Sequence, residues 1–183
     1  MPFDSPAGAA SPHVPVLLEE VIAWLRPRDG GIYVDGTLGL GGHSREILER
    51  SAPTGRVFGF DWDQDALDMA RVRLAEYGER LVSVHASYAD LVLELTRLQV
   101  GQVDGLLVDL GVSSLQLDRA ERGFSFRADA PLDMRMDRSR PLTAADLVAR
   151  LSEEQLADLF YHYCEERQAR RIARFLVRAR EEG

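Results

Sequence analysis

The chain has 183 residues, enough for one domain of ordinary size with a real core. It is 45% hydrophobic and 28% charged, which is typical of a globular protein, and no apolar run reaches the length of a membrane span. A net charge of -8 argues against a protein that binds duplexes by neutralising phosphates, but it allows an enzyme that holds RNA locally. Because Cys164 is the only cysteine, an internal disulfide and a thiolate metal site are excluded, and a reducing cytoplasm is expected.

The first twelve residues are rich in Ala, Pro, Ser and Gly. They contain no basic region followed by an apolar core, so residues 1–12 are predicted to be a disordered leader and not a signal peptide.

Helix and strand signals alternate along the chain up to residue 108. The predicted strands are Ile32–Val34, Val57–Phe60, Leu81–Val84 and Gly105–Val108. A helix over Val16–Leu25 precedes the first strand, a helix from Gly42 that buries Ile47 and Leu48 follows it, and a helix over Leu67–Tyr77 follows the second. The helix after the third strand is predicted to be capped by Ser87 with Asp90 and to bury Leu91, Leu95 and Leu98. Short apolar strands separated by helices indicate a doubly wound α/β fold with a parallel sheet.

The pattern changes after Gly111. Leu117–Arg140 is charged and interrupted by glycine and proline, and it is followed by helix-start signals at Thr143 with Asp146 and at Ser152 with Gln155. Two apolar stripes follow at helical spacing: Leu156, Leu159, Phe160 and Tyr163, then Ile172, Phe175, Leu176 and Ala179. We therefore expect a first domain over residues 13–116 and a loop with a helical insertion domain over residues 117–183.

A glycine-rich string, D-G-T-L-G-L-G-G-H-S from Asp35, joins the first strand to the following helix. Ligands of open α/β sheets bind at the carboxyl ends of the strands, where this turn lies, and a helix N-terminus favours a phosphate or a carboxylate. A plain tight turn explains the string equally well when it is considered alone.

Asp61 strengthens the ligand interpretation because it ends the second strand, twenty residues after Gly41. An acidic side chain at that place meets the two ribose hydroxyls of an adenosine cofactor. The absence of lysine excludes a P-loop, and Ala66 and Val72 stand where a calcium loop needs Gly and Glu, so Asp63 or Asp65 is expected to cap the next helix. A dehydrogenase that binds NAD remains a rival, although its G-x-G-x-x-G fingerprint differs from the spacing here.

Asp109 leaves the fourth strand beside the same crevice, where a carboxylate would face the cofactor or the acceptor. A strand-end aspartate that caps a turn is the plain alternative.

Several long strings carry a family resemblance. They are H-V-P-V-L-L-E-E from His13, the glycine string from Asp35, D-W-D from Asp61, D-L-G-V-S-S-L-Q-L-D from Asp109, R-G-F-S-F from Arg122, P-L-D-M-R-M-D from Pro131 and E-E-R-Q-A-R-R-I-A-R from Glu165. With these strings the chain resembles the RsmH/MraW family of ribosomal RNA methyltransferases over nearly everything after residue 12.

The resemblance implies a Rossmann-like class I fold that uses S-adenosylmethionine. It implies methylation of the exocyclic 4-amino group of a cytidine in the decoding region of small-subunit ribosomal RNA, with free RNA or the assembled small subunit as partner. The family's cofactor contacts fall on Gly41, Gly42, His43, Asp61, Tyr88, Asp109 and Gln116. Tyr88 is expected to stack on adenine, and a core or helix-start residue is its plain alternative.

Family members continue beyond the point that matches Gly183, so the resemblance also implies that the later strands of the catalytic sheet are absent and that the chain is truncated. An unpaired sheet edge is then expected. A non-catalytic RNA-binding or assembly module therefore stays open beside the methyltransferase and the NAD-binding oxidoreductase.

The first candidate for accepting a proton from the target amine is Asp109, and Asp133 is the second. The N/D-P-P-Y/F string of many amino methyltransferases is replaced here by D-L-G-V, so the way that string holds the acceptor amine cannot be assumed for this chain.

Arg122, Phe124 and Phe126 suit phosphate contact and base stacking, and a structured linker is an equal alternative. For the arginines between Arg167 and Arg178, a solvated, ion-paired helix face is the default and RNA contact is secondary.

Overall fold

A computed structural model describes residues 15–182 of the chain. The predicted leader and His13 lie outside the described residues. Contacts divide the chain into two compact units, of which the first ends at Gly111 and the second begins at Val112. Among the described helices, none combines the length and the apolar character that crossing a bilayer requires.

The first unit contains a four-stranded sheet in which every neighbouring pair is parallel. Its strands are β1 Ile32–Asp35, β2 Arg56–Asp61, β3 Leu81–His85 and β4 Gly105–Leu107. The spatial order is β3-β2-β1-β4, so the order reverses between β1 and β4. In the register, Asp35 lies opposite Gly59 and Leu107, which brings the carboxyl ends of three strands together.

Helices cover both faces of this sheet. They are α1 Leu18–Leu25, α2 Gly42–Arg50, α3 Gln64–Arg73 and α4 Leu91–Arg97, with short 3-10 turns at Ala75–Arg80 and Tyr88–Asp90. Ile47 and Leu48 of α2 pack with Tyr33 on one face, while Leu91 of α4 packs with Phe58 on the other. The predicted doubly wound α/β fold is therefore confirmed for the described residues.

Local departures from the prediction have identifiable causes. The helix expected to reach Tyr77 ends at Arg73, because the chain tightens into a 3-10 turn in which Gly78 adopts a positive φ of 53°. The Ser87 hydroxyl accepts from the N–H of Ala89, and the N–H of Asp90 donates to the Ser87 carbonyl at 2.9 Å, so the turn forms without the expected capping box. Leu98 lies beyond the end of α4 and is exposed.

The outer edge of β4 has no partner strand among residues 15–182. Leu106 in this strand is 52% exposed, as expected when an apolar strand made for a parallel sheet lies at its edge.

The described part of the second unit is helical. Its helices are α5 Ser114–Asp118, α6 Ala144–Arg150, α7 Glu153–Cys164 and α8 Ala169–Glu182, with a 3-10 turn at Ala120–Arg122. The capping signals at Thr143 and Ser152 are both confirmed as complete capping boxes.

The predicted apolar stripes of this unit are partly wrong. Leu156 is buried, but Tyr163 points to solvent, and so do Ile172 and Phe175 of α8. The residues of α8 that pack with Leu156 and Ala157 of α7 are instead Ala173 and Val177. Small side chains at this contact let the two helices approach closely, and the larger ones are left outside.

Candidate functional site

The candidate site begins at the glycine loop, residues 35–44, which connects β1 to α2. The N–H of Gly36 donates to the carbonyl of Leu107 at 2.8 Å, and the N–H of Leu38 donates to the carbonyl of Phe60 at 2.8 Å. One side of the loop is thus fixed to the end of β4 and the other to the end of β2. This is the crevice where the strand order reverses, the usual ligand position in an open α/β sheet.

Asp35 anchors the loop from beneath. Its buried carboxylate accepts from the Ser44 hydroxyl at 2.7 Å and from the N–H of Thr37 at 3.1 Å. Burial raises the pKa of Asp35 above its ordinary value, and the hydrogen bond from Ser44 opposes that rise. The sequence prediction did not include Asp35 among the site residues, although the D-G-T start of the glycine string was a signal for it.

Asp61 meets the glycine loop directly. Its carboxylate accepts from the N–H of Gly39 at 2.7 Å and, through the other oxygen, from the N–H of Asp63 at 2.8 Å. Burial raises the pKa of Asp61, and backbone hydrogen bonds from Asp63, Gly39 and Trp62 oppose the rise. A carboxylate offers about four lone-pair positions, so Asp61 can still accept from a hydroxyl donor beside its backbone partners.

The glycines of the loop differ in what surrounds them. Gly39, with φ of 52°, has open space where a side chain would stand, since the nearest atom is the Thr37 carbonyl oxygen at 3.9 Å. At Gly41, with φ of 78°, a Cβ would lie 2.5 Å from the Leu74 side chain, and at Gly42 it would overlap Pro15. Gly41 and Gly42 are therefore needed for packing, and Gly39 leaves the backbone open to a ligand.

Two further predicted residues lie around the loop. The Nε2 atom of buried His43 is 3.0 Å from the carbonyl oxygen of Val16, which ties α2 to the segment before α1. Tyr88 follows β3 and is 48% exposed, and its Cβ is 3.2 Å from the place a Cβ of Gly36 would occupy. The structure thus brings an exposed aromatic ring to the edge of the glycine loop.

Asp109 lies on the β4 side of the same crevice. Its N–H donates to the Thr37 hydroxyl at 2.8 Å, and its side chain is exposed. The backbone of Asp109 is therefore fixed by the glycine loop, which leaves the carboxylate facing solvent.

Gln116, also predicted to contact the cofactor, belongs to the second unit. It is buried in the capping box of α5, where its Oε1 accepts from the N–H of Ser113 at 3.1 Å. Its predicted cofactor role stays a prediction.

Asp133 is held by an arginine. The Arg135 guanidinium donates to both carboxylate oxygens, at 2.8 and 2.7 Å, and the N–H of Arg135 adds a third bond. These hydrogen bonds lower the pKa of Asp133 to about 2. A carboxylate held in this way is a weak proton acceptor, and the catalytic role of Asp133 stays a prediction.

The irregular segment over residues 119–143, here called the arginine-stapled loop, is cross-linked by its own side chains. Arg122 is 1% exposed, and its Nη2 donates to the carbonyls of Arg135 and Met136 at 3.0 and 3.1 Å. Arg135 in turn donates to the carbonyls of Arg138 and Arg140. Arg122 is therefore a buried scaffold residue, which favours the structured-linker alternative for this side chain.

The aromatic residues of the R-G-F-S-F string have different environments. Phe126 is fully exposed, and Phe124 is partly buried. Both line an open cavity of about 560 Å³ formed by residues 123–132.

Comparison with known proteins gives a family. The model of the MraW methylase family matches residues 10–183. The chain is 56% identical, over 92% of its length, to the ribosomal RNA small subunit methyltransferase H of Desulfotalea psychrophila, covering 57% of that protein. It is 57% identical, over 93% of its length, to the protein of the same name from Geotalea daltonii, covering 54%. The chain therefore spans little more than half the length of these relatives.

Similarity to solved structures is more distant. A protein-L-isoaspartate O-methyltransferase superposes with a TM-score of 0.44 and 15% identity, covering 60% of this chain and 33% of that one.

Proposed function

Because this chain belongs to the MraW methylase family, we propose that it binds S-adenosylmethionine and takes part in methylating the exocyclic 4-amino group of a cytidine in the decoding region of small-subunit ribosomal RNA. The observation that carries this proposal is the contact between the Asp61 carboxylate and the N–H of Gly39, at the reversal of strand order. The names of the relatives support the ribosomal RNA partner, as free RNA or as the assembled small subunit, and cytoplasmic localisation follows from that partner.

The residues of the crevice fit such a cofactor. The Asp61 carboxylate at the end of β2 suits the ribose hydroxyls, and the ring of Tyr88 suits stacking on adenine. Open space at Gly39 lets a ligand approach the backbone. No side chain in the described part of the chain caps α2, so the first-turn N–H groups of α2 suit the methionine carboxylate.

The chemistry assigns a separate role to Asp109. The bound cofactor supplies a methyl group already activated by its sulfonium, so the protein needs chiefly to align the acceptor and exclude water. The amine of cytosine is a poor nucleophile because its lone pair is delocalised into the ring. Asp109, positioned through Thr37 and unpaired with any arginine in residues 15–182, would accept a hydrogen bond from that amine and take up its proton.

Calorimetric titration with S-adenosylmethionine and, separately, with NAD tests the cofactor assignment. We expect binding of S-adenosylmethionine only. Asp61→Ala should weaken it roughly 100-fold, because hydrogen bonds to a charged group contribute about 1.5–3 kcal/mol each. Asp68→Ala, which removes an exposed carboxylate from α3, is the matched control and should leave the affinity unchanged.

Transfer of labelled methyl groups to isolated small subunits and to free small-subunit RNA, followed by nucleoside analysis, tests the reaction. Label in 4-methylamino cytidine is the expected result. Binding of NAD without S-adenosylmethionine would instead support an oxidoreductase. Binding of RNA and S-adenosylmethionine with no transfer would support a non-catalytic module.

A further inference from the structure

The outward face of α8 is a basic column in an acidic protein. The chain carries a net charge of -8, but helix α8 alone contains five arginines and two glutamates. Arg170, Arg174 and Arg178 follow one another at a spacing of four residues, so their side chains lie one above another on the helix surface. The local charge is thus opposite in sign to that of the whole molecule.

This column costs stability. Like charges at a spacing of four residues repel by roughly 0.2–0.5 kcal/mol per pair, the amount that an opposite pair would contribute. The ion-paired face expected from the sequence forms only in part. Arg174 pairs with Glu153 at 3.4 Å, whereas Arg170 and Arg178 form no ion pair within residues 15–182. The charges of Arg170 and Arg178 are therefore available to an external anion.

An exposed aromatic residue lies beside the column. Phe175 is 59% exposed, and the guanidinium of Arg171 lies 5.9 Å from the centroid of its ring. Arg180 differs from the other arginines of α8, because it donates to the carbonyls of Val148, Ala149 and Leu151 and belongs to the scaffold. The outward face thus combines four arginines with one aromatic ring.

We propose that this face, formed by Arg170, Arg171, Arg174, Phe175 and Arg178, binds the phosphate backbone of RNA. Charge complementarity is the reason: closely spaced guanidinium groups suit successive phosphates, and an exposed ring beside them suits a neighbouring base. Because a polyanion relieves the repulsion within the column, binding recovers the stability that the free helix loses. The proposal rests on the proposed function for the identity of the polyanion as RNA.

The test measures affinity for small-subunit ribosomal RNA between about 50 and 200 mM salt. The double variant Arg170→Gln/Arg178→Gln should reduce the slope of log affinity against log salt by roughly 1.4 to 1.8, since each lost phosphate contact removes 0.7 to 0.9. Its affinity for S-adenosylmethionine should stay unchanged, and its melting temperature should not fall. Arg170→Lys/Arg178→Lys keeps both charges and should retain the wild-type slope.

The matched control is Arg50→Gln/Arg97→Gln, which removes the same two charges from exposed, locally ion-paired positions of the first unit. An equal loss of slope in this control, or no loss in the α8 variant, would overturn the proposal. So would binding of the wild-type chain to phosphatidylserine vesicles but not to RNA. If S-adenosylmethionine binds and methyl transfer occurs while the α8 slope is unchanged, only this inference fails and the proposed function stands.

Discussion

The glycine loop and the arginine-stapled loop are held in shape by different kinds of hydrogen bond. Each is an irregular segment that must hold one shape. The glycine loop is held mainly by backbone hydrogen bonds to the ends of β2 and β4, together with the buried carboxylate of Asp35. The arginine-stapled loop belongs to the second unit, whose described residues form no strand, and the guanidinium groups of Arg122 and Arg135 bind its carbonyls instead.

This difference decides which polar and aromatic side chains stay exposed to solvent at each loop. A loop held through its backbone keeps side chains such as those of Tyr88 and Asp109 exposed at its rim. A loop held through its side chains uses its charged residues internally, so Arg122, Asp133 and Arg135 are occupied. A charged residue in an irregular segment is therefore a candidate for catalysis only after its scaffold role has been examined.

The largest expected effect separates the two candidate bases. Asp109→Ala should lower the rate of methyl transfer roughly 100-fold or more, since general-base catalysis contributes about 10²–10⁴. Asp133→Ala should act mainly through stability, because its carboxylate is bound by Arg135. Single-turnover rates at saturating cofactor measure the catalytic effect of each variant, and denaturation curves measure its stability. An unchanged rate and cofactor affinity for Asp109→Ala would remove it from the site.

The second effect concerns the staple. Arg122→Met keeps much of the side-chain volume but leaves the carbonyls of Arg135 and Met136 without a buried donor, so the free energy of unfolding should fall by about 2–4 kcal/mol. Limited proteolysis should then cut within residues 123–141. Arg127→Met, at an exposed position, should change stability by less than about 0.5 kcal/mol. Equal stability of the two variants would mean that the loop is held by something other than Arg122.

A smaller effect distinguishes the ligand-facing glycine from the packing glycine. Gly39→Ala should cost about 1 kcal/mol for its left-handed backbone but should weaken cofactor binding, because the new methyl group enters the open space. Gly41→Ala should cost roughly 2–3 kcal/mol, because its methyl group also meets Leu74. Calorimetry on each folded variant is the measurement. Weaker cofactor binding in Gly41→Ala than in Gly39→Ala would place the ligand beside Gly41.

The sheet and the glycine loop could be predicted because their signals are local. Apolar runs such as Val57–Phe60 alternate with helical periodicity, and short parallel strands with intervening helices allow few topologies. The positions of Asp61 and Asp109 at strand ends then follow from the order of elements alone. The capping boxes at Thr143 and Ser152 could also be predicted from the sequence, since each spans only four residues.

Two features could not be predicted: the burial of Arg122 and the packed face of α8. The first depends on residues far away in sequence, and the second leaves no mark in the hydrophobic periodicity. The burial of Arg122 depends on carbonyls more than ten residues away. On α8, the large apolar side chains of Ile172 and Phe175 suggested the packed face, but the contact with α7 uses Ala173, because close approach of two helices favours small side chains. Periodicity alone does not distinguish these two faces.

The smallest effect is a difference in pH dependence between the two loops. The pKa of Asp133 is lowered to about 2, so its stabilising ion pair is complete above its ordinary value of 3.8 and is lost as the pH falls towards 2. The contribution should be about 1 kcal/mol, since solvent screens part of the pair. The pKa of Asp35 is raised by burial, so the folded state takes up this proton more readily than the unfolded chain, and acidification should stabilise the glycine loop. Denaturant unfolding of the wild type, Asp133→Asn and Asp35→Asn from pH 6 to 2.5 should therefore give difference curves of opposite slope. Parallel curves would show that the two carboxylates experience the same kind of environment, which contradicts the contrast between the loops.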